Sequence, residues 1–192
     1  MPIVVFQNNQ FDTEHEATCA ALFNRYGWRW EKPKHPVGGW VPDFLLKGDT
    51  LVYVECKGGL RWEDVPQWPD LVRYEDAVNG SSYEVLLIPE TPKRMQNDRG
   101  YTKSALGFLY DGSLWSHAEL GRWSNRVGFC HSANSWKDRI SGEQVSGRSM
   151  GDGNRPDIDI DWRSAIQTVR GKRVSYFKGS VTDPIEEWEP RL

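Results

Sequence analysis

Cysteine is scarce in this chain: three in 192 residues, at Cys19, Cys56 and Cys130. That is too few and too scattered for a disulfide framework, so they read as reduced thiols of a cytoplasmic protein. Long apolar runs are missing as well. None approaches the roughly 20 residues needed to cross a bilayer, so no membrane association is expected. The opening MPIVVFQNNQ has no basic region ahead of its apolar stretch and does not look like a signal peptide. A glycine-rich phosphate loop is also lacking, so ATP use is not expected. No internal repeat or long low-complexity segment occurs.

What is abundant is aromatic: ten Trp in a chain long enough for one domain with a real core and some appended structure. Buried rings and rings stacked on nucleic-acid bases both fit that composition. Net charge is -3, which at first argues against a nucleic-acid partner. Its distribution reverses the reading. Residues 1–90 carry 8 Lys+Arg against 14 Asp+Glu, while residues 91–181 carry 15 against 9. Residues 182–192 are acidic again. An acidic, cation-attracting half joined to a basic half suits an enzyme that cuts DNA.

The apolar pattern predicts a mixed α/β core. Residues 3–6 read as a strand. Residues 13–26 read as a helix, with Cys19, Leu22, Phe23 and Tyr26 as its apolar stripe and Gly27 as its stop. Residues 28–31 form a short strand. Residues 40–46 and 51–57 form two strands around a Gly48-Asp49 turn. A helix is expected over 70–78, after Pro66 and Pro69 and before Asn79-Gly80, and a strand over 83–88. Later, 108–110 and 113–115 flank Asp111-Gly112, a hairpin signal. Residues 141–156 are rich in Gly and Ser and read as a mobile loop. A helix is expected over 161–172, capped by Asp161, and a loose tail from Thr182.

Side chains alternate along 51–57. Leu51, Tyr53, Glu55 and Lys57 share one face; Val52, Val54 and Cys56 share the other, which is wholly apolar. Glu55 and Lys57 therefore point together, about 6–7 Å apart. Metal-assisted phosphodiester hydrolysis needs carboxylates to hold a divalent cation, an activated water and positive charge facing the phosphate. Glu55, Lys57 and a carboxylate on the preceding strand, Asp43, can supply them, with the backbone carbonyl of Cys56 as a further oxygen ligand. Asp43 joins Glu55 only in one register. A two-residue turn pairs Asp43 with Val54, on the wrong face, whereas a three-residue loop over 48–50 pairs it with Glu55. The odd-numbered loop, or a bulge with the same effect, is expected. Glu16 continues the stripe of the first helix toward the sheet, which would make it a fourth member. Thr13 three residues earlier equally makes it half of a capping box, and spacing leaves both readings open.

Pro42-Asp43 followed by Glu55-Cys56-Lys57 resembles the signature of the PD-(D/E)XK nuclease superfamily, with Glu16 as the usual first-helix glutamate. The wider stretch is similar to small phage and bacterial proteins of that superfamily, in which a Glu opens a helix ending in Gly, a Trp-containing strand follows, then Pro-Asp-Phe and Val-Glu-x-Lys-Gly. The counterparts here are Glu16, Gly27, Trp30-Glu31, Pro42-Asp43-Phe44 and Val54-Glu55-Cys56-Lys57-Gly58. The likeness is good over residues 11–90 and weaker beyond, where residues 165–179 resemble a basic C-terminal helix. It implies a restriction-endonuclease-like core over 1–90, a mixed sheet flanked by helices, with an irregular basic extension over 91–181 and an acidic tail over 182–192. It implies Mg2+ or Mn2+ held by Asp43, Glu55 and the Cys56 carbonyl, with Glu16 acting through water, Lys57 orienting the attacking water or stabilising charge, and DNA as substrate. An endonuclease of phage or mobile-element origin, working in the host cytoplasm, is the expectation. A branched-DNA resolvase, which would need a homodimer, and a catalytically silent DNA-binding module of the same fold are the alternatives, and RNA cleavage stays open. The Gln-x-x-x-Tyr of recombination exonucleases is missing, since Gln67 and Tyr74 are too far apart.

Other features carry less. Cys130 and His131, with His117 upstream, lack the paired spacing of a zinc site. Asp157, Asp159 and Asp161 alternate, but without the Gly turn and final Glu of a calcium loop. Arg163, Arg170, Lys172 and Arg173 are candidates for holding DNA phosphates and equally fit a solvated helix face. Trp115, Trp123 and Trp136 either shape substrate choice or pack.

Overall fold

Thr13 starts the first helix as its neighbours require. Its backbone is extended, its hydroxyl accepts the Glu16 N–H at 3.1 Å, and the Glu16 carboxylate turns back to accept the Thr13 hydroxyl at 2.9 Å and the Asp12 N–H at 3.2 Å. This capping box opens α1 (Glu14–Arg25), and Gly27, at φ +71, ends it in the left-handed conformation a Cβ disfavours. The structure is a computed structural model that describes residues 3–96, 102–123, 126–134, 137–144 and 156–171. The acidic tail and most of the 141–156 loop lie outside the described residues.

Residues 16 to 23 of α1 are all buried, far more than a one-sided stripe explains. The cause is a second partner. Small residues Ala17, Ala20 and Ala21 admit α3 (Ile158–Gly171), whose Ile158, Trp162, Ala165 and Val169 join the same core cluster. Asp161 is not the cap of that helix. α3 begins three residues earlier, where the Asp157 carboxylate accepts the Ile160 N–H at 3.2 Å. Asp161 instead accepts hydrogen bonds from Arg25 Nε at 2.7 Å and the Tyr26 hydroxyl at 3.0 Å, tying α3 to the end of α1.

A small hairpin, β1 (Val4–Phe6) with β2 (Asn9–Phe11), turns through Gln7 and Asn8, both at positive φ. The main sheet contains β3 (Trp30–Glu31), β4 (Phe44–Lys47), β5 (Leu51–Cys56), β6 (Glu84–Ile88), β7 (Lys93–Gln96), β8 (Thr102–Tyr110), β9 (Trp115–Trp123) and β10 (Arg126–His131). Its order is β10-β9-β8-β6-β5-β4-β3, with β7 also on β8. Among the described strands only β5 and β6 run parallel, joined by a 3-10 turn (Trp62–Gln67) and α2 (Leu71–Val78). The molecule is therefore α/β, with a mixed sheet flanked by helices.

One sheet face packs on α1 and α3 through Phe44, Leu46, Val52, Val54, Leu86, Leu109 and Phe129. The other packs on α2 through Trp40, Leu60, Tyr74, Val85 and Leu87. Strands β7 to β10, all after residue 90, belong to the same sheet. The hairpin around Asp111-Gly112 is longer than its sequence signal: Tyr110 pairs with Trp115, and Asp111 folds the four-residue loop by accepting the Ser113 and Leu114 N–H groups. At Gly107 the β8 register shifts, and an added Cβ would overlap the Leu87 carbonyl.

The segment 137–144 closes the sheet beyond β10. Asp138, 1% exposed, accepts the Phe129, Ile140 and Ser141 N–H groups at 3.0, 3.1 and 2.9 Å. Asp138→Ala orphans three backbone donors, each costing about 1–3 kcal/mol where buried. A loss of about 3 kcal/mol in urea unfolding is expected, with Asp138→Asn losing less; an unchanged midpoint for the alanine variant would show that the carboxylate carries no stability.

Candidate active site

The loop between β4 and β5 has three residues. Lys47 faces Leu51 and Phe44 faces Val54, the register of the odd-numbered loop, and Asp43, just before the ladder, lies close enough to Glu55 to feel its charge. β4 proper begins at Phe44, and the Asp43 N–H donates to the Val54 carbonyl at 2.9 Å. Val52, Val54 and Cys56 pack toward α1 and Tyr53 toward α2, so the expected alternation along β5 holds. Glu55 and Cys56 lie beside Leu87 and Ile88, at the carboxyl ends of the parallel pair. That is the edge where α/β sheets bind ligands.

Glu55 is 5% exposed, and both of its oxygens are engaged. Oε2 accepts the Trp40 indole N–H at 2.8 Å. Oε1 lies 2.5 Å from the Lys57 ammonium and 3.4 Å from the Tyr74 hydroxyl. Burial works to lower the Lys57 pKa, but the bond to Glu55 and the charges of Glu55, Asp43 and Asp70 raise it on balance.

Asp43 Oδ2 accepts the Cys56 N–H at 2.7 Å. Successive residues of an extended strand face opposite neighbours, and the Lys57 N–H bonds Ile88. The Cys56 carbonyl therefore lies on the Asp43 side, as its expected ligand role needs. Burial first, then the negative charges of Glu55 and Glu16, push the Asp43 carboxyl up to about 7 against the opposing effects of the Cys56 N–H and Lys57. The charge of Glu16 reaches Asp43, but its carboxylate is spent on the capping box. The geometry makes the capping bonds that one reading of the spacing predicted, while the charge of Glu16 also bears on Asp43.

Among the described residues no group of three or more His, Cys, Asp or Glu side chains is arranged to hold a metal ion. The donor set at Asp43 and Glu55 still fits a hard cation. Mg2+ is commonly held by one or two carboxylates and completes its shell with water. A carboxyl raised by burial and by a neighbouring negative charge, as Asp43 is, is what a divalent charge relieves.

His15 and two thiols adjoin the site. His15 packs 5.5 Å from the Trp162 ring and against Gly58, and its Nε2 is buried without a hydrogen-bond partner. Burial raises the pKa of Cys19, but the Cys56 thiol and the His15 charge outweigh it and bring it down to about 6. The sequence offered no reason to group these residues. It also missed Trp40 and Tyr74. Tyr74 sits with Leu71 and Val78 on the buried stripe of α2, where an aromatic reads simply as core.

Of the basic candidates, Arg163 and Arg170 are on α3. Arg163 is exposed and bonds the Asp159 carbonyl at 3.0 Å; Arg170 pairs with Glu14 at 2.7 Å. Lys172 and Arg173 lie outside the described residues, as do Trp136 and the Trp123 side chain. Trp115 packs at the α2 layer, its N–H donating to Glu75 at 2.7 Å. No helix among the described residues is long and apolar enough to cross a membrane. Compared with protein-family models, curated proteins and solved structures, the chain matches none.

The elevated Asp43 pKa sets a stability dependence whose sign is fixed. Between the ordinary value of 3.8 and about 7, the folded chain keeps a proton that the unfolded chain releases. Metal-free stability therefore falls as pH rises through that window and levels off above it. At about 1.4 kcal/mol per pH unit the penalty is bounded near 4 kcal/mol, and solvent at this partly exposed carboxyl reduces it to about 2 kcal/mol. Asp43→Asn should be the more stable protein at pH 8 in EDTA and lose that advantage near pH 4. Parallel urea-unfolding curves at every pH would overturn the assignment.

Proposed function

We propose that the chain is a metal-dependent nuclease of the PD-(D/E)XK type that hydrolyses DNA phosphodiester bonds, an endonuclease of phage or mobile-element origin. The observation that carries the reading is the meeting of Asp43, Glu55 and Lys57 at the carboxyl edge of β5, set by the three-residue loop at 48–50. The order of helix, antiparallel strands, helix and parallel strand supports a restriction-endonuclease-like core.

Asp43 and Glu55 would hold Mg2+ or Mn2+, with the Cys56 carbonyl as a further oxygen donor. The bound cation supplies a Lewis acid and a water of lowered pKa. Lys57, about one-third exposed, is the cation of the site that can reach outward to a phosphate oxygen or to the attacking water. Glu16 raises the proton affinity of Asp43 through its charge and holds the start of α1 in place.

A second reading has one observation in its favour. Both Glu55 oxygens have protein partners, as they would in a silent DNA-binding module that kept the fold. Incubation with supercoiled, linear, single-stranded and four-way-junction DNA in Mg2+, Mn2+ or EDTA separates the two. Cleavage is expected with either metal and not with EDTA. Lys57→Ala and Asp43→Ala, still folded, should each cut about 10²–10³-fold more slowly. DNA binding without cleavage in any metal would favour the silent module.

A further inference from the structure

We infer that Trp40 and Tyr74 form a positioning clamp that fixes which oxygen of Glu55 faces Lys57 and the metal side of the site. The inference rests on the nuclease reading and deepens it.

A glutamate's terminal torsion is broad and roughly two-fold, so the carboxylate has little intrinsic preference for either oxygen. Here the choice is made for it. The Trp40 indole N–H, a donor that cannot accept, holds Oε2 at 2.8 Å in a fully buried bond. Tyr74 approaches Oε1 from the same aromatic layer. Trp40 and Tyr74 are 3% and 1% exposed, and their ring centroids lie 4.7 Å apart. Water therefore does not compete for either bond.

The backbone that delivers Trp40 is locked at several points. Val37 and Trp40 exchange backbone hydrogen bonds of 2.6 and 2.9 Å across Gly38 and Gly39, both at positive φ. Arg73 on α2 donates to the Gly39 carbonyl at 2.6 Å. Gly38 sits so close to α2 that an added Cβ would lie 2.7 Å from Ala77 Cα. The turn and the helix thus reach Glu55 as one rigid unit. With Oε2 held by Trp40 and Oε1 turned to Lys57 and Tyr74, the Glu55 carboxylate is kept in one orientation in the site. Trp40 acts through Glu55 and is a positioning residue.

The test is a double-mutant cycle on the full chain, with Mn2+ as the probe and calorimetric Kd as the readout. Trp40→Phe keeps the ring but removes the donor, and should weaken Mn2+ binding about tenfold, the scale on which outer partners of metal ligands act. In a Glu55→Gln background the same change should add nothing, because the partner it positions is gone. Circular dichroism checks folding. Should Trp40→Phe not fold, Tyr74→Phe, which deletes one oxygen, replaces it in the same cycle with an expected loss of at least twofold. Mn2+ binding that is unchanged by the substitution, or weakened equally with and without Glu55, overturns the clamp while leaving the nuclease reading intact. Wild-type protein that binds no Mn2+ overturns both.

Discussion

A shift of one residue between β4 and β5 would carry Asp43 to the face opposite Glu55 and part the two carboxylates on which the proposed function depends. The loop at 48–50 prevents that shift, and it is not held by its own conformation alone. The Asp49 and Thr50 N–H groups donate to the carbonyls of Ile140 and Arg139, and Gly48 lies where any side chain would strike the Arg139 backbone. Arg139 in turn is anchored to Glu84 at the start of β6, and its neighbour Asp138 to β10. A late segment of the chain thus sets the pairing of two early strands, from the end of the sheet opposite the reactive groups.

That arrangement explains why the site tolerates its own electrostatics. Asp43 lies near Glu55 and Glu16 and is largely withdrawn from water, a combination that disfavours its charge. Each is given specific donors: the Cys56 N–H for Asp43, Trp40 with Lys57 for Glu55, and Thr13 with the Asp12 N–H for Glu16. Asp43 has the thinnest support of the three, and its carboxyl rises to about 7.

Much of this was legible in the sequence, for local reasons. α1 announces itself by the Thr13 cap, the apolar stripe and Gly27. The β4–β5 pair shows as two apolar runs around Gly48-Asp49, and the alternation on β5 already separates Glu55 from Val54 and Cys56. What was illegible depends on distant partners. β7 reads Lys-Arg-Met-Gln and has no strand signature; only pairing with β8 makes it one. β10 carries a glycine because the Asp138 carboxylate fills the space a Cβ would need. Asp161 looked like a cap because it precedes a helical run, whereas its partners, Arg25 and Tyr26, are far away in the chain. The hold of Trp40 on Glu55 has no sequence signal at all, since a tryptophan beside two glycines advertises neither its partner nor its direction.

The two rims of the main sheet are finished differently, and this bears on self-association. An open strand rim is a template on which another chain can add, a common route to aggregation. At one rim β3 is only two residues long and ends at Glu31, whose carboxylate pairs with Lys47, so an incoming strand finds little ladder and a charged border. At the other, the unpaired side of β10 is already taken: the Phe129 carbonyl accepts the Arg139 N–H, and the Phe129 N–H is satisfied by Asp138. Edge-to-edge stacking of copies is therefore discouraged at these two rims.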